Sequence, residues 1–372
     1  MFDMKQLPNV ISVQEGRTFS LKILKWVGIS ILSLIVLFSL ARWIGMGVNR
    51  RIPSGGVNKS MYVDINGSKQ WISIYGQDKN NPVLLYLHGG PGAATSLYDY
   101  AFTRKWSDVY TVVTWDQRGC GKSYDKSHPE IITADVMMQD GKAMTEFLRD
   151  YLQVEKITLL GHSWGSYFGA NLALAYPEYY EAFIGAGQFI DRDENERRLY
   201  DAALTWSEND PEGRDMVEKW GATIDTEEDV YLRSEIMERY GYGMMKDGTD
   251  YSTFAAVLFN PYYSLKEIMD YLKREALSAE YKSFFLSDGF LEMSLLGRHD
   301  YAVPYYNING DIDYQTNYSL ACEYFERVDA PKKQMFVMKD ATHGLLESRS
   351  EEFSGHLHQI AALGALLVVW HQ

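Results

Sequence analysis

The chain has 372 residues, of which 46% are hydrophobic and 23% are charged, and its formal net charge is −14. So acidic a balance argues against a nucleic-acid partner, because phosphate binding needs a basic face. Only two cysteines occur, Cys120 and Cys322, and no cysteine–histidine cluster indicates a metal site. We expect two unpaired thiols, and one disulfide is the alternative. The length suits one large α/β domain with an insertion, or two ordinary domains.

The first element in chain order is an apolar segment near the N-terminus. Residues 26–41 (WVGISILSLIVLFSLA) carry no charge, and with Arg42 tolerated the stretch reaches Val48 and the roughly 20 residues that a spanning helix needs. We predict a transmembrane anchor over 26–48, preceded by a tail over 1–25. A cleaved signal peptide is the alternative, with the cleavage motif at 39–41, although a 25-residue lead is long for one.

The flanking charges do not fix the orientation of this anchor. Four basic residues lie on each side of the segment: Lys5, Arg17, Lys22 and Lys25 before it, and Arg42, Arg50, Arg51 and Lys59 after it. The positive-inside rule therefore gives no preference. We favour a single-pass membrane protein with its catalytic domain on the extracytoplasmic side.

After a linker at 49–59, strands and helices are predicted to alternate. Two alternating strands flank Asn66-Gly67, the strongest short hairpin signal. Short apolar runs typical of buried parallel strands follow at 83–87 (VLLYL), 110–115 (YTVVTW) and 156–160 (KITLL). A helix is predicted over 134–152 with Thr133 as its N-cap, and another helix begins after Ser163.

This alternation predicts an α/β fold, with a mostly parallel central sheet flanked by helices. Residues 191–240 contain 16 acidic and 7 basic residues with helical periodicity, so we predict a helical cap inserted over 191–295. The core is then divided into 60–190 and 296–372. Its second part contains predicted strands at 305–308 and 334–338, with a helix between them, and a final helix from about residue 351, whose apolar end is too short to span a membrane.

Residues 161–165 (GHSWG) form a candidate nucleophile motif. They follow a predicted strand directly and open a helix, which is the context that the G-x-S-x-G elbow requires. The turn is tight, so small residues are needed on both sides of Ser163. A helix N-terminus beneath the hydroxyl also favours developing negative charge. We predict that Ser163 is the catalytic nucleophile.

A glycine-rich run at 88–92 (HGGPG) follows the strand at 83–87. Such a turn lets a backbone N–H point at a substrate carbonyl oxygen. We predict that the N–H groups of Gly90 and Trp164 form an oxyanion hole.

A base and its orienting acid are expected later in the chain, after the last strands. Asp311 and Asp313 follow the strand at 305–308, and His343 follows the strand at 334–338. His343 would accept the proton of Ser163, and Asp313 would hold the imidazole in the required tautomer. Asp311 is the alternative acid, and a surface role is the alternative for His343.

Three motifs together resemble the proline iminopeptidase family of α/β-hydrolases: HGGPG at 88–92, WDQRGCGKS at 115–123 and GHSWGS at 161–166. The resemblance covers about residues 60–190 and 300–350. It implies the triad Ser163, Asp313 and His343, the oxyanion donors Gly90 and Trp164, and a helical cap over the site. The stretch at 115–123 is expected to shape the cleft floor and to brace the HGGPG loop.

The cap departs from the family pattern. Proline iminopeptidases bind the free amine of the substrate with cap glutamates, one of them in a Trp-Ser-x-Trp-Glu run, whereas residues 206–210 here are WSEND. Glu194, Glu196 and Glu208 are candidates to bind an amine, and a solvated helix face is the alternative for each. Prolyl specificity therefore does not follow from the resemblance.

The sequence thus predicts a membrane-anchored serine hydrolase that cleaves a small amide or ester through an acyl-enzyme, without a metal or cofactor. Aminopeptidase-like action on short peptides is the first hypothesis, and an esterase or lipase acting on lipophilic acyl esters is the second. The third is a non-catalytic binding module of the same fold. Such modules usually lose a member of the triad, whereas this chain keeps all three.

Overall fold

The computed structural model describes residues 10–274 and 277–369. They fall into two compact units, which divide between Arg51 and Ile52. The start of the predicted tail (1–9), two residues of the predicted cap (275–276) and the last three residues of the predicted core (370–372) lie outside the described residues.

A single helix, α1 (Val10–Asn49), makes up the described part of the first unit. Its portion Leu24–Asn49 has a mean hydropathy of 2.1. At 1.5 Å per residue this portion is about 39 Å long, which exceeds the ~30 Å hydrocarbon core of a bilayer. Length and composition fit both a spanning anchor and a signal sequence. The helix begins well before the predicted anchor over 26–48.

The second unit is built on one sheet with the strand order β1-β2-β4-β3-β5-β6-β7-β8. The strands in the described residues are β1 Val57–Ile65, β2 Ser68–Gly76, β3 Val83–Leu87, β4 Thr111–Asp116, β5 Ile157–His162, β6 Tyr180–Ala186, β7 Tyr305–Gly310 and β8 Lys333–Met338. Strand β2 is antiparallel to both of its neighbours, and β3 to β8 run parallel to one another. The carboxyl ends of these six strands therefore share one edge of the sheet.

The predicted hairpin joins β1 to β2. Its two turn residues, Asn66 and Gly67, have φ angles of 51° and 78°. Two consecutive positive φ values define the turn type whose twist matches that of a hairpin, and Asn-Gly adopts them at little cost. The Asp64 carboxylate also accepts a hydrogen bond from the Gly67 N–H, at 3.0 Å.

Helices cover both faces of the sheet, which buries a separate apolar cluster on each face. Helices α3 (Ala134–Leu152), α4 (Trp164–Ala175) and α12 (Tyr318–Arg327) contribute to one cluster, and α2 (Tyr100–Thr103), α13 (Leu345–Ser348) and α14 (Ser350–Val369) contribute to the other. Thr133 caps α3 by accepting the Val136 N–H, at 3.2 Å. Three 3-10 turns complete these layers: Arg104–Trp106, Gly121–Ser123 and Pro177–Tyr179.

The segment between β6 and β7 is helical, and we call it the cap. Its helices are α5 Arg192–Trp206, α6 Pro211–Trp220, α7 Glu227–Arg239, α8 Thr253–Leu258, α9 Leu265–Leu272, α10 Ala279–Phe285 and α11 Asp288–Leu291. Its two ends are joined, because the Leu295 N–H donates to the Ile190 carbonyl at 2.7 Å. The cap has its own apolar cluster, which includes Leu199, Trp220 and Ile236.

Candidate active site

Ser163 occupies a strained turn between β5 and α4. Its φ and ψ angles are 58° and −129°, and a positive φ is costly for a residue other than glycine. The flanking glycines make the turn possible. A Cβ on Gly161 would lie 2.1 Å from the Gly165 carbonyl oxygen, and one on Gly165 would lie 2.2 Å from the Leu87 carbonyl oxygen. The turn thus sets Ser163 at the carboxyl edge of the sheet.

The HGGPG loop lies against this serine. A Cβ on Gly89 would be 2.8 Å from the Ser163 Cβ and 3.4 Å from its Oγ. Gly90 has a φ of 118°, which only glycine adopts without strain. Trp164 is the first residue of α4, so its N–H has no partner within the helix. The two predicted oxyanion donors therefore belong to the two backbone segments that meet at Ser163.

Asp313 and His343 form a buried pair. The Asp313 Oδ2 lies 2.8 Å from the His343 Nδ1, and the two side chains are 0% and 1% exposed. Asp313 also accepts the backbone N–H of Gln315 at 2.8 Å and that of Thr316 at 3.0 Å. These contacts fix the carboxylate on the Nδ1 side of the imidazole.

Asp311, the alternative acid, makes different contacts. Its carboxylate pairs with Lys339 at 3.2 Å and accepts the Asp340 N–H at 2.7 Å. Asp313, rather than Asp311, therefore contacts His343.

His162 and Gly187 pack against the His343 ring. The His162 ring stacks on the His343 ring with the centroids 4.7 Å apart, and the His162 Nε2 lies 3.0 Å from the His343 carbonyl oxygen. Burial and the nearby His343 lower the pKa of His162 to about 3, so His162 is neutral and donates from Nε2. Gly187 also lies close to this ring, because a Cβ there would be 2.9 Å from the His343 Cε1.

The Nε2 atom of His343 is buried and has no hydrogen-bond partner among the described residues, Ser163 included. Since Nδ1 bonds Asp313, Nε2 is the nitrogen that is left to accept a proton. The hydrogen bond to Ser163 is not formed in this conformation. Such bonds are often long without substrate and tighten in the Michaelis complex.

The stretch at 115–123 contacts the HGGPG loop and its continuation. The Cys120 Sγ lies 3.4 Å from the His88 Nε2, and the Asp116 carboxylate accepts a hydrogen bond from Ser96 at 2.7 Å. Burial lowers the pKa of His88 to about 4 and raises that of Asp116 to about 6. Cys120 is a free thiol, and so is Cys322.

The three candidate cap glutamates have different surroundings. Glu194 pairs with Arg197 at 2.7 Å and with Arg198 at 2.8 Å, and the hydrogen bond from Arg197 is the main cause that lowers its pKa to about 2. Glu196 is buried in a pair with Arg233, at 2.6 Å. Glu208 is exposed. Two of the three carboxylates thus already have arginine partners.

Two residues beside the Asp313–His343 pair were not predicted. Thr316 donates to the Asp313 Oδ2 at 3.0 Å and lies 3.2 Å from the His343 Nδ1. Thr316 could have been predicted to contact Asp313 from the sequence, because it lies three residues after Asp313 in the same loop. Gly187 follows β6, a strand that the sequence analysis did not predict, so nothing indicated that it would reach His343.

This chain has the α/β-hydrolase fold. Its sheet is mostly parallel, a strained serine follows β5, a glycine-rich loop follows β3, and an Asp–His pair follows β7 and β8. Residues 82–231 match the family described as the alpha/beta hydrolase fold. Within the described residues, no group of histidine, cysteine and acidic side chains is arranged to hold a metal ion.

The chain is also similar to individual proteins that are named as aminopeptidases. The chain is 25% identical to a protein named probable aminopeptidase YbaC from Bacillus subtilis (strain 168), over 76% of this chain and 89% of that protein. It is 35% identical to a proline iminopeptidase from Neisseria gonorrhoeae, but over only 32% of this chain and 37% of that enzyme. The crystal structure of a Mycobacterium smegmatis proline iminopeptidase superposes with a TM-score of 0.60 at 20% identity, covering 83% of this chain and 100% of that one.

Proposed function

We propose that this protein is a serine hydrolase in which Ser163 attacks an amide or ester carbonyl and forms an acyl-enzyme. His343 accepts the Ser163 proton at Nε2 and delivers it to the leaving group, while Asp313 stabilises the charged imidazole through Nδ1. The N–H groups of Gly90 and Trp164 bind the developing oxyanion. The observation that carries this proposal is the buried 2.8 Å contact between Asp313 and His343, which lies beside a serine held in a strained turn.

The substrate proposed first is a short peptide that loses its N-terminal residue. The main support is the likeness to the Bacillus protein named as a probable aminopeptidase, which spans 89% of that protein's length. The likeness to the Neisseria proline iminopeptidase spans only 37% of that enzyme. Removal of an N-terminal residue is therefore better supported than a preference for proline.

A lipophilic ester is the second candidate, and the ion pairs of the cap favour it. An aminopeptidase needs carboxylates that are available to the substrate's ammonium group. Glu196 is occupied by Arg233, and Glu194 by Arg197 and Arg198. An ester substrate makes no such demand on the cap.

We propose further that α1 is an uncleaved membrane anchor with the catalytic unit on the extracytoplasmic side. Its 26-residue portion Leu24–Asn49, with a mean hydropathy of 2.1, supports this role. The mass of the protein purified from membranes is the test. The expected mass includes residues 1–41, whereas a mass that lacks them indicates a cleaved signal peptide.

The two substrate candidates are distinguished by turnover of proline and alanine β-naphthylamides against short-chain and long-chain p-nitrophenyl esters. The peptidase proposal predicts cleavage of the amides, with loss of activity when the substrate's amine is acetylated. It also predicts a higher KM for amides in Glu194→Gln or Glu208→Gln, with little change for esters. Cleavage of esters alone, unaffected by either variant, would refute it in favour of the ester hydrolase.

A further inference from the structure

The buried ion pair between Glu196 and Arg233 links two cap helices. Glu196 lies on α5 and Arg233 on α7, and each side chain is 6% exposed. The Glu196 Oε2 accepts the Arg233 Nε at 2.6 Å. A buried pair of this kind adds little stability over apolar packing, because desolvation offsets much of the attraction.

The free end of the Arg233 guanidinium reaches the loop at 311–317, which carries Asp313 and which we call the acid loop. Its NH1 donates to the Gln315 side-chain oxygen at 2.7 Å, and its NH2 donates to the Gln315 backbone carbonyl at 3.0 Å. Glu196 uses the third donor position of the guanidinium. Arg233 thus holds both the side chain and the main chain of Gln315 at once.

A second residue of α5 holds the same loop. The Asn195 side-chain nitrogen lies 3.2 Å from the Gln315 carbonyl oxygen, and its side-chain oxygen accepts the Asn317 N–H at 2.7 Å. Both Asn195 and Asn317 are buried. The loop is therefore tied to the cap on either side of Thr316.

The tied loop is the one that orients Asp313. Its Gln315 and Thr316 N–H groups both donate to the Asp313 Oδ1, at 2.8 Å and 3.0 Å. The other oxygen of Asp313 bonds His343 at 2.8 Å. A continuous path of hydrogen bonds thus runs from the cap helices to the imidazole.

We propose that Glu196 and Arg233 are positioning residues, through which the cap fixes the carboxylate of Asp313 by way of Gln315. Glu196 orients the Arg233 guanidinium, and Arg233 in turn fixes the position of Gln315 in the loop. The loop then fixes the orientation of the Asp313 carboxylate. The cap then forms part of the catalytic apparatus, because displacing α5 or α7 displaces Asp313. This inference rests on the triad proposed above, and it gives Glu196 a role other than binding a substrate amine.

The test is the Arg233→Lys variant of the full chain. Lysine keeps a positive charge for Glu196, but it lacks the planar fork that binds both oxygens of Gln315. The first readout is the rate constant for labelling by a fluorophosphonate, which depends on nucleophile activation and not on the natural substrate. We expect a fall of about 10- to 100-fold, the usual cost of a misplaced catalytic group, with KM within about twofold on any substrate that is turned over.

The matched control is Arg239→Lys on the same helix. Arg239 forms a similar fork with Asp210, at 2.6 Å and 3.0 Å, and its remaining hydrogen bond goes to Glu212 rather than to the acid loop. We expect this variant to be labelled at the wild-type rate. Equal losses in Arg233→Lys and Arg239→Lys would mean a general effect on the cap and would overturn the proposal.

The second readout is the same substitution in an Asp313→Asn background. If Arg233 acts through Asp313, Arg233→Lys causes no further loss there. If the double variant is labelled at least tenfold more slowly than Asp313→Asn alone, the positioning role is overturned. If Asp313→Asn alone is labelled at the wild-type rate, the proposed triad fails instead. Should Arg233→Lys not fold, Gln315→Ala removes one acceptor and leaves the Glu196–Arg233 pair intact, and the same comparison applies.

Discussion

Gly187→Ala tests whether the position of the His343 ring controls activity. Gly187 follows β6 and has a φ of 49°. An alanine Cβ there would lie 2.9 Å from the His343 Cε1, 3.0 Å from its Nδ1 and 3.3 Å from the Asp313 Oδ2. The substitution removes no functional group, so any loss of activity comes from geometry.

The size of the effect follows from these distances. Carbon atoms pack favourably at about 3.5 Å or more, so the imidazole must move by roughly 0.6 Å away from Gly187. A displacement of this order costs up to about 100-fold in rate. The positive φ adds about 1–2 kcal/mol of lost stability for a residue with a Cβ.

The assay is kcat on an activated ester, with the free energy of unfolding measured by urea titration. Gly221→Ala is the matched control, because Gly221 has a φ of 62° and its nearest neighbouring atom would be 3.9 Å away. Both variants should lose about 1–2 kcal/mol of stability from the positive φ. Gly187→Ala should lose more, because its Cβ also displaces the buried imidazole, and it alone should lose activity. If Gly187→Ala keeps kcat within twofold of wild type, the precise position of the imidazole does not matter and the reasoning is refuted.

Substitutions at two further positions probe buried groups near the site. Burial raises the pKa of Glu347 from 4.5 to about 7, so the folded protein keeps this proton between those values while the unfolded chain loses it, and stability falls as the pH rises through that window. The stability of Glu347→Gln relative to wild type should therefore be higher at pH 8 than at pH 5, by up to about 3 kcal/mol at 1.36 kcal/mol per pKa unit. Urea unfolding at the two pH values measures this difference, and an equal difference at both would contradict the prediction. His162→Phe keeps an aromatic ring stacked on His343 and loses only the 3.0 Å hydrogen bond to the His343 carbonyl. The kcat of His162→Phe should therefore fall less than that of His162→Ala. Equal kcat values for the two variants would show that the stacking has no role.

The strands found from sequence were those with dense β-branched and apolar residues. The run at 83–87 is fully buried between β4 and β5, and that burial shows directly in its composition. Strand β6 (YEAFIGA) was missed because alanine and glycine carry little strand propensity. Its identity depends on burial between β5 and β7, which a local pattern does not contain.

The same distinction holds at the site. The placement of Ser163, Asp313 and His343 at one edge of the sheet was predictable, because each follows a strand and the carboxyl ends of parallel strands meet at that edge. The state of Glu196 was not predictable. Whether a carboxylate in an acidic run is free or paired depends on Arg233, which lies 37 residues away on another helix. Only the packing of α5 against α7 reveals its partner.

The most direct test of the central claim is fluorophosphonate labelling of the full-length protein, followed by mass spectrometry of the modified peptide. We predict one labelled residue, Ser163, with no labelling in Ser163→Ala and at least about 100-fold slower labelling in His343→Ala, since a nucleophile without its base is weak. Labelling that persists in Ser163→Ala, or a modified residue elsewhere in the chain, would contradict the assignment of Ser163 as the nucleophile.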